Sequence, residues 1–158
     1  MAWGTLVHAL LEHAMRGPHR DRAHLGRLAN WLTVDKPALR RVVPEALDTV
    51  ERVMASELWR RAQAAHESLA EVPFAVRSEG EPTPRVLYGV IDLAFRTPEG
   101  WHIVDYKTDQ ADLATLTERY AGQVRAYVGP WARLMDERIA YAGLFVVRVD
   151  ALSDNLAL

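Results

Sequence analysis

One stretch, residues 88–109, constrains the fold more than any other, because YGVIDLAFRTPEGWHIVDYKTD has the pattern of a β-hairpin with charges inside its strands. Its two apolar runs, 85–95 and 101–106, are rich in β-branched and aromatic residues, which favour strands. The five residues between the runs, RTPEG, place Pro and Gly where turns need them. The sequence therefore predicts two antiparallel strands joined by a short turn centred on Pro98 and Glu99.

Two carboxylates face each other across this predicted hairpin. With that turn Thr97 pairs with Gly100, and continued pairing sets Asp92 opposite Asp105, with Cβ atoms about 5 Å apart. Like charges in this position destabilise a sheet, and a cation between them would remove the conflict. Side chains alternate along a strand, so Lys107 shares the face of Asp105. Because Asp92 interrupts an apolar run, where Asp is disfavoured, a functional site is favoured over a solvated strand face.

Composition limits the classes of protein that the chain can belong to. Its 158 residues, 49% of them hydrophobic, suit a single globular domain over 1–158. The absence of an apolar run of about 18 residues argues against a membrane span, and the first residues lack the pattern of a secretory signal. The chain contains no cysteine, which excludes disulfides, thiolate nucleophiles and a cysteine-ligated iron–sulfur cluster, and favours a cytoplasmic location. The formal charge of −2 argues mildly against a domain that grips DNA tightly alone.

The first part of the chain, about 4–66, is predicted to be helical. His8 and Glu12 share one face of its first helix, and on spacing alone His8 could be an ordinary, partly buried helix histidine. The predicted helical stretches are 4–15, 22–32 after an Asp21 cap, a stretch from Pro37 interrupted near Pro44, and 46–65.

The second part, about 69–149, is predicted to form the sheet. A strand is expected over 71–76, at an edge or bulge because of Pro73, and a loop over 77–84. After the hairpin, a Thr115–Glu118 capping box predicts a helix to about residue 134, kinked or divided at Pro130. A buried strand is expected over 141–149, and the last residues, 151–158, are expected to fray. This order predicts an α/β fold with a mixed central sheet of about four or more strands flanked by helices.

Five short motifs follow one another along the chain, and their order is informative. They are Gly4-x-x-x-His8-x-x-x-Glu12, Glu71-Val-Pro-Phe, Gly89-x-x-Asp92, Asp105-Tyr-Lys107-Thr and Gln123-x-x-x-Tyr127. Together they resemble the RecB/AddA-type nuclease domain of the PD-(D/E)XK nuclease superfamily, over about residues 4–149. The resemblance implies a restriction-endonuclease-like core.

The resemblance also implies roles for individual residues. His8, Asp92, Asp105 and the backbone carbonyl of Tyr106 would bind Mg²⁺ or Mn²⁺, ions that suit oxygen ligands with one imidazole. Lys107 would be the catalytic lysine beside Asp92 and Asp105. The residues of the helical motif that would lie next to the site are Gln123, a catalytic candidate, and Tyr127, an accessory one. Two interpretations of Glu71 stay open, an accessory site residue or a surface carboxylate.

The predicted function is metal-dependent hydrolysis of DNA phosphodiesters, as an exonuclease of the repair and recombination type. The chain lacks a GxxxxGK[ST] phosphate loop, so no helicase motor is expected within it. Two interpretations stay open, a free-standing nuclease or a domain that works with a helicase on another polypeptide or in a parent chain. The alternative is a module that keeps the nuclease fold for DNA binding or protein docking without cleavage. The intact Asp92, Asp105 and Lys107 set argues against that alternative.

Overall fold

The structure, a computed structural model, describes residues 3–77 and 86–157 of the chain. Within these ranges helices come first, strands follow, and one long helix separates the third strand from the fourth. The elements in chain order are α1 (Trp3–Arg16), α2 (Arg22–Leu32), α3 (Pro37–Arg40), α4 (Val43–Met54), α5 (Glu57–Ala64), β1 (Glu67–Arg77), β2 (Val86–Thr97), β3 (Gly100–Lys107), α6 (Leu113–Met135), β4 (Ile139–Val146) and β5 (Ala151–Leu152).

The strands form a single mixed sheet in the order β1-β2-β3-β4-β5. The β3–β4 pair is parallel, and α6 makes the crossover between them. The other neighbours pair antiparallel. This arrangement confirms the predicted α/β fold with a mixed sheet, and it places β1, the strand that contains Pro73, at one edge.

Helices cover both faces of the sheet, and each face has its own apolar cluster. On one face the N-terminal helices pack on side chains such as Leu93 and Val104. On the other face α6 packs on side chains such as Ile91 and Ile103. The sheet is therefore the middle layer of three, and a residue at the end of a central strand can face either helical layer.

The β2–β3 hairpin has the predicted turn and register, with Thr97 opposite Gly100 and Leu93 opposite Val104. The ladder ends at that last pair, so the expected direct pairing of Asp92 with Asp105 is wrong. Residues two apart on a regular strand share a face. Ile91 and Leu93 pack instead in opposite clusters, which shows that β2 changes its alternation at Asp92.

Two helix predictions need correction. Residues 46–65 form two helices, because the Ser56 hydroxyl accepts a hydrogen bond from the Trp59 amide and caps α5 as a new helix. Helix α6 is capped by Asp112, whose carboxylate accepts a bond from the Thr115 amide at 2.9 Å, so Thr115 is not the cap. The same helix runs through Pro130 without a division, so of the two outcomes expected there only the kink stays a prediction.

Residues 151–157 are held by contacts at the sheet edge, which corrects the prediction that they fray. Strand β4 ends at Val146, and β5 returns antiparallel to it. The Asn155 amide then substitutes for a neighbouring strand, accepting from Ala142 N at 3.1 Å and donating to Ala140 O at 3.0 Å. Leu156 is buried in the cluster under α6. Side-chain hydrogen bonds of this kind leave no period in the sequence, so hydrophobic patterning does not reveal them.

Strand β1 is longer than predicted, and its pairing with β2 runs from Glu67–Arg96 to Arg77–Val86. Most of the loop predicted over 77–84, and the start of the strand predicted at residue 85, lie outside the described residues. Among the described helices, none is both long and apolar enough to cross a bilayer.

Candidate active site

Helix α1 brings His8 to the sheet through a close approach at Gly4. A Cβ atom at Gly4 would overlap the side chain of Thr108, which follows β3. The absence of a side chain therefore lets the first turn of α1 lie against the end of that strand. One helical turn further on, the ring of His8 meets the edge of Tyr106, with centroids 5.9 Å apart.

Asp92 is held between His8 and β3. Its Oδ1 lies 3.3 Å from His8 Nδ1, and its Oδ2 accepts a hydrogen bond from the Tyr106 amide at 2.6 Å. The side chain is 9% exposed. The Tyr106 bond takes the place of a strand–strand bond, which explains why the hairpin ladder stops here and why Asp92 reaches toward α1.

Glu71 approaches the same point from β1 through an irregular backbone. Its φ of 50° lies in the left-handed region, which residues other than Gly adopt rarely. Ala70 and Val72 pair with β2 on either side of it, and Glu71 itself is skipped. Its Oε1 lies 3.8 Å from His8 Nδ1. The kink therefore aims Glu71 at the site, although Pro73 in the sequence left that direction open.

Arg16 fastens this kink to α1. Its guanidinium donates to the carbonyl of Ala70 at 2.6 Å and, at 3.5 Å, to that of Glu71. Glu12, one turn earlier on the helix, lies 2.6 Å from the same guanidinium. One helix thus supplies His8 and also holds the strand residue that faces it.

His8, Glu71 and Asp92 form a cluster in which one ligand atom from each lies within 4.8 Å of the other two. Burial alone would lower the pKa of His8, but hydrogen bonds and charge from Asp92 and Glu71 outweigh it and raise the pKa to about 10. The two carboxylates therefore favour a positive charge at this point. Two carboxylates and an imidazole are a donor set that fits Mn²⁺ and, through the oxygens, Mg²⁺.

Asp105 and Lys107 form a buried ion pair, with Lys107 Nζ 2.6 Å from Asp105 Oδ2 and side chains 12% (Lys107) and 6% (Asp105) exposed. The ammonium also lies 3.7 Å from the ring centroid of Tyr120 on α6, a cation–π contact. Burial, followed by the charge of Asp92, raises the pKa of Asp105, while Lys107 and His8 oppose the shift. The pair therefore lies within electrostatic range of the cluster.

A cavity of about 410 Å³ joins the two groups. Side chains from α1, β1 and β3 line it together, including His8, Glu71, Tyr106 and Lys107. A ligand in this cavity could touch the carboxylate–imidazole cluster and the lysine at once.

The helical motif lies on the α6 side of the sheet. Gln123 is exposed and donates a 2.7 Å hydrogen bond to the hydroxyl of Tyr127. Tyr127 is buried against the edge of Phe74, with ring centroids 4.6 Å apart. Burial, opposed by the Gln123 bond, raises the pKa of Tyr127, and charges on Asp105 and Asp92 add to the rise. Tyr127 also lines a larger cavity of about 580 Å³, with Arg77 and Arg133 among its walls.

The structure thus brings together most of the residues that the motifs predicted, in a different grouping. Glu71 joins His8 and Asp92, whereas Asp105 lies outside that trio and pairs with Lys107. The role of the Tyr106 carbonyl stays a prediction. Sequence reasoning missed Arg16 and the contact of Tyr120 with Lys107. The spacing of Glu12 and Arg16, four residues apart on the face that carries His8, was the available signal for Arg16.

A mixed sheet between two helical layers, with acidic residues and a lysine where β2 and β3 part, defines the restriction-endonuclease-like class. The sequence model of the PD-(D/E)XK nuclease superfamily matches residues 1–155, and the chain belongs to that superfamily. This confirms the resemblance seen in the five motifs.

Several relatives of the chain are named as the A-type subunits of ATP-dependent helicase/nucleases. That of Heliobacterium modesticaldum is 31% identical over 140 residues, which cover 80% of this chain and 10% of the relative. That of Geobacillus thermodenitrificans is 32% identical over 146 residues, covering 78% and 12%. That of Anoxybacillus flavithermus is 29% identical over 154 residues, covering 88% and 12%. The chain therefore spans about a tenth of the length of these relatives.

Proposed function

We propose that this chain is a divalent-metal-dependent deoxyribonuclease domain that hydrolyses phosphodiester bonds. The observation that carries the proposal is the shared cavity, in which Lys107 and two members of the His8–Glu71–Asp92 cluster, His8 and Glu71, face one space. Membership of a nuclease superfamily supports the reaction class.

The residues fit a resident metal ion. His8, Glu71 and Asp92 would hold it. Asp105 would be the further ligand that the family resemblance implies. When bound, Mg²⁺ or Mn²⁺ would neutralise phosphate oxygens and lower the pKa of bound water. Asp92 and Glu71, which raise the pKa of His8, favour a positive charge at this point, and a metal ion would take the place of the imidazole proton.

Lys107 would act on the substrate and not on the metal. A charged ammonium has three donors and no lone pair, so it can hold a phosphate oxygen but cannot ligate a cation. Asp105 and the ring of Tyr120 fix its position. Gln123, held by Tyr127, would offer its amide to the phosphate or the attacking water.

DNA is the proposed substrate, and Arg77 and Arg133 in the neighbouring cavity suit its phosphate backbone. The relatives are named helicase/nuclease subunits. We therefore propose that the domain works beside a helicase in DNA repair or recombination, as an exonuclease on the unwound strand.

The direct test is incubation of the purified protein with end-labelled linear DNA, single- and double-stranded, and with closed circles. Degradation of linear DNA is expected with Mn²⁺ or Mg²⁺, and a chelator should stop it; sparing of the circles would support an exonuclease. Asp92→Asn is the matched control, since its amide oxygen can still accept the Tyr106 hydrogen bond while the charge is lost. Intact DNA under every metal condition would favour the non-cleaving module.

Metal binding should also be measurable as folding stability. A ligand that binds only the native state adds about 2.7 kcal/mol to the free energy of unfolding at one hundred times its dissociation constant. Denaturant unfolding with and without Mn²⁺ should show this gain in the wild type, and Glu71→Gln and Asp92→Asn should reduce it. Equal stability with and without Mn²⁺ in the wild type would contradict the metal site.

A further inference from the structure

Three histidines meet at the corner between α1 and α2, away from the cluster described above. His13 lies in the last turn of α1, His24 in the first turn of α2, and His19 in the connection between the helices. The Nε2 atoms of His13 and His24 are 3.0 Å apart, and the rings are close to parallel, at 13°. The His19 ring lies 5.2 Å from that of His24. All of these side chains are at least partly accessible to solvent.

A ring nitrogen facing another ring nitrogen at this distance requires one of them to present a lone pair. A proton shared between two imidazoles occupies the position that a metal ion would take. A tetrahedral ion with Zn–N bonds of about 2.0–2.1 Å would separate the two nitrogens by about 3.3 Å. The pair needs to open by only a few tenths of an ångström, which small rotations of the partly exposed rings supply.

One carboxylate and two arginines, Arg20 and Arg22, flank this corner, so the site rests on the geometry of the imidazoles and not on a local excess of negative charge. Asp21 caps α2 by accepting a hydrogen bond from the backbone amide of His24 at 2.9 Å, so a carboxylate lies within the same turn. His19 can rotate toward the pair, because it lies in the connection and its side chain is exposed.

We propose that His13 and His24 form a second metal site, which takes a transition-metal ion of the Zn²⁺ class, with His19 as a third ligand. Imidazole nitrogens select Zn²⁺, Cu²⁺ and Ni²⁺, whereas Mg²⁺ requires oxygen ligands. The site closes the α1–α2 corner across 11 positions of sequence. It is independent of the proposed nuclease activity, since it shares no residue with the His8–Glu71–Asp92 cluster.

The test is titration of the full chain with Zn²⁺ in an Asp92→Asn background, which weakens the first site. One equivalent of Zn²⁺ should bind and raise the melting temperature, and Mg²⁺ should do neither. Adding His13→Gln or His24→Gln should weaken Zn²⁺ binding by more than about tenfold. Substitution of a residue that only supports a metal ligand commonly costs about tenfold, and loss of a ligand itself should cost more. His66→Gln, at an exposed histidine before β1, is the matched control and should leave binding unchanged.

A second measurement covers variants that fold poorly. Co²⁺ bound to the Asp92→Asn protein should give the visible absorption of a nitrogen-ligated ion, and added Zn²⁺ should bleach it. Unchanged Zn²⁺ stoichiometry and affinity in a folded His13→Gln, His24→Gln double variant would overturn the proposal. The absence of a nitrogen-ligated Co²⁺ spectrum in the parent protein would overturn it equally.

Discussion

At the scale of single residues, Lys107 should separate chemistry from metal binding. Its ammonium is fixed by Asp105 and Tyr120 at the cavity that His8 and Glu71 line. An aimed charge in a water-poor site contributes about 3–4 kcal/mol to lowering a barrier, so Lys107→Ala should slow cleavage by about 10²–10³-fold. Single-turnover kinetics and Mn²⁺ titration of Lys107→Ala should show a lower cleavage rate and an unchanged affinity for Mn²⁺.

The chain offers a matched control for this experiment. Lys36, its other lysine, is exposed beside α3, and Lys36→Ala should leave the rate unchanged. Lys107→Arg keeps the charge but exchanges a compact ammonium for a planar guanidinium, so it should recover only part of the rate. Cleavage by Lys107→Ala at the wild-type rate would remove the lysine from the mechanism.

These residues also mark how far sequence reasoning reaches. Strand alternation was sufficient to put Asp105 and Lys107 on one face, and they touch. It was insufficient for Asp92 and Glu71, because both sit where the backbone departs from a regular strand. A left-handed φ at a glutamate is imposed by the surrounding structure, so its own side chain gives no local signal.

At the scale of elements, the contact between α1 and β1 should control metal affinity. Arg16→Ala removes a charged donor to the Ala70 carbonyl, and hydrogen bonds to charged groups contribute about 1.5–3 kcal/mol. Without that donor the kink at Glu71 should relax toward a regular strand and turn the carboxylate away from His8. Mn²⁺ titration should show weaker binding, with cleavage recovering at high Mn²⁺.

Other arginine variants separate positioning from a general loss of charge. Arg22→Ala removes an arginine that bridges from α2 to carboxylates on α4 and has no contact with Glu71 among its ion pairs in the described ranges, so metal affinity should stay the same. Arg16→Lys should restore part of the affinity through one donor. An Arg16→Ala protein that binds Mn²⁺ as tightly as the wild type would show that the backbone at Glu71 keeps its conformation without Arg16.

Element boundaries were predictable where a local signal existed. The α2 bounds and the hairpin turn follow from the Asp21 cap and the Pro98–Glu99 turn chemistry. The C-terminal strand and the Asn155 bridge depend on an edge of β4 that exists only after the sheet has formed.

At the scale of the whole molecule, His102 should make the fold sensitive to acid. It is 6% exposed and stacks on the Phe95 ring, with centroids 4.7 Å apart. Burial, with help from the charge of Arg61, lowers the pKa of His102 to about 4 from an ordinary 6.5. Below pH 6.5 His102 therefore binds a proton in the unfolded chain, whereas in the native state it stays neutral until about pH 4. The free energy of unfolding should fall across this window by up to about 3 kcal/mol.

Comparison with His102→Phe isolates this contribution, because the variant keeps an aromatic ring and cannot titrate. Denaturant unfolding at several pH values between about 4 and 7 should show a flatter profile for the variant, while other groups cancel in the difference. Parallel profiles for the two proteins would contradict a buried neutral His102.

The double role of α1 has a thermodynamic consequence for the whole domain. The helix provides His8, and through Arg16 it also orients Glu71, so its docking and the proposed metal binding are parts of one equilibrium. Coupling free energies are reciprocal. A cation that favours the docked helix is bound more tightly whenever the helix is docked, by the same factor. Any partner that binds α1 and stabilises or displaces it would therefore raise or lower the affinity for the metal ion, while Asp105 and Lys107 stay in place on β3.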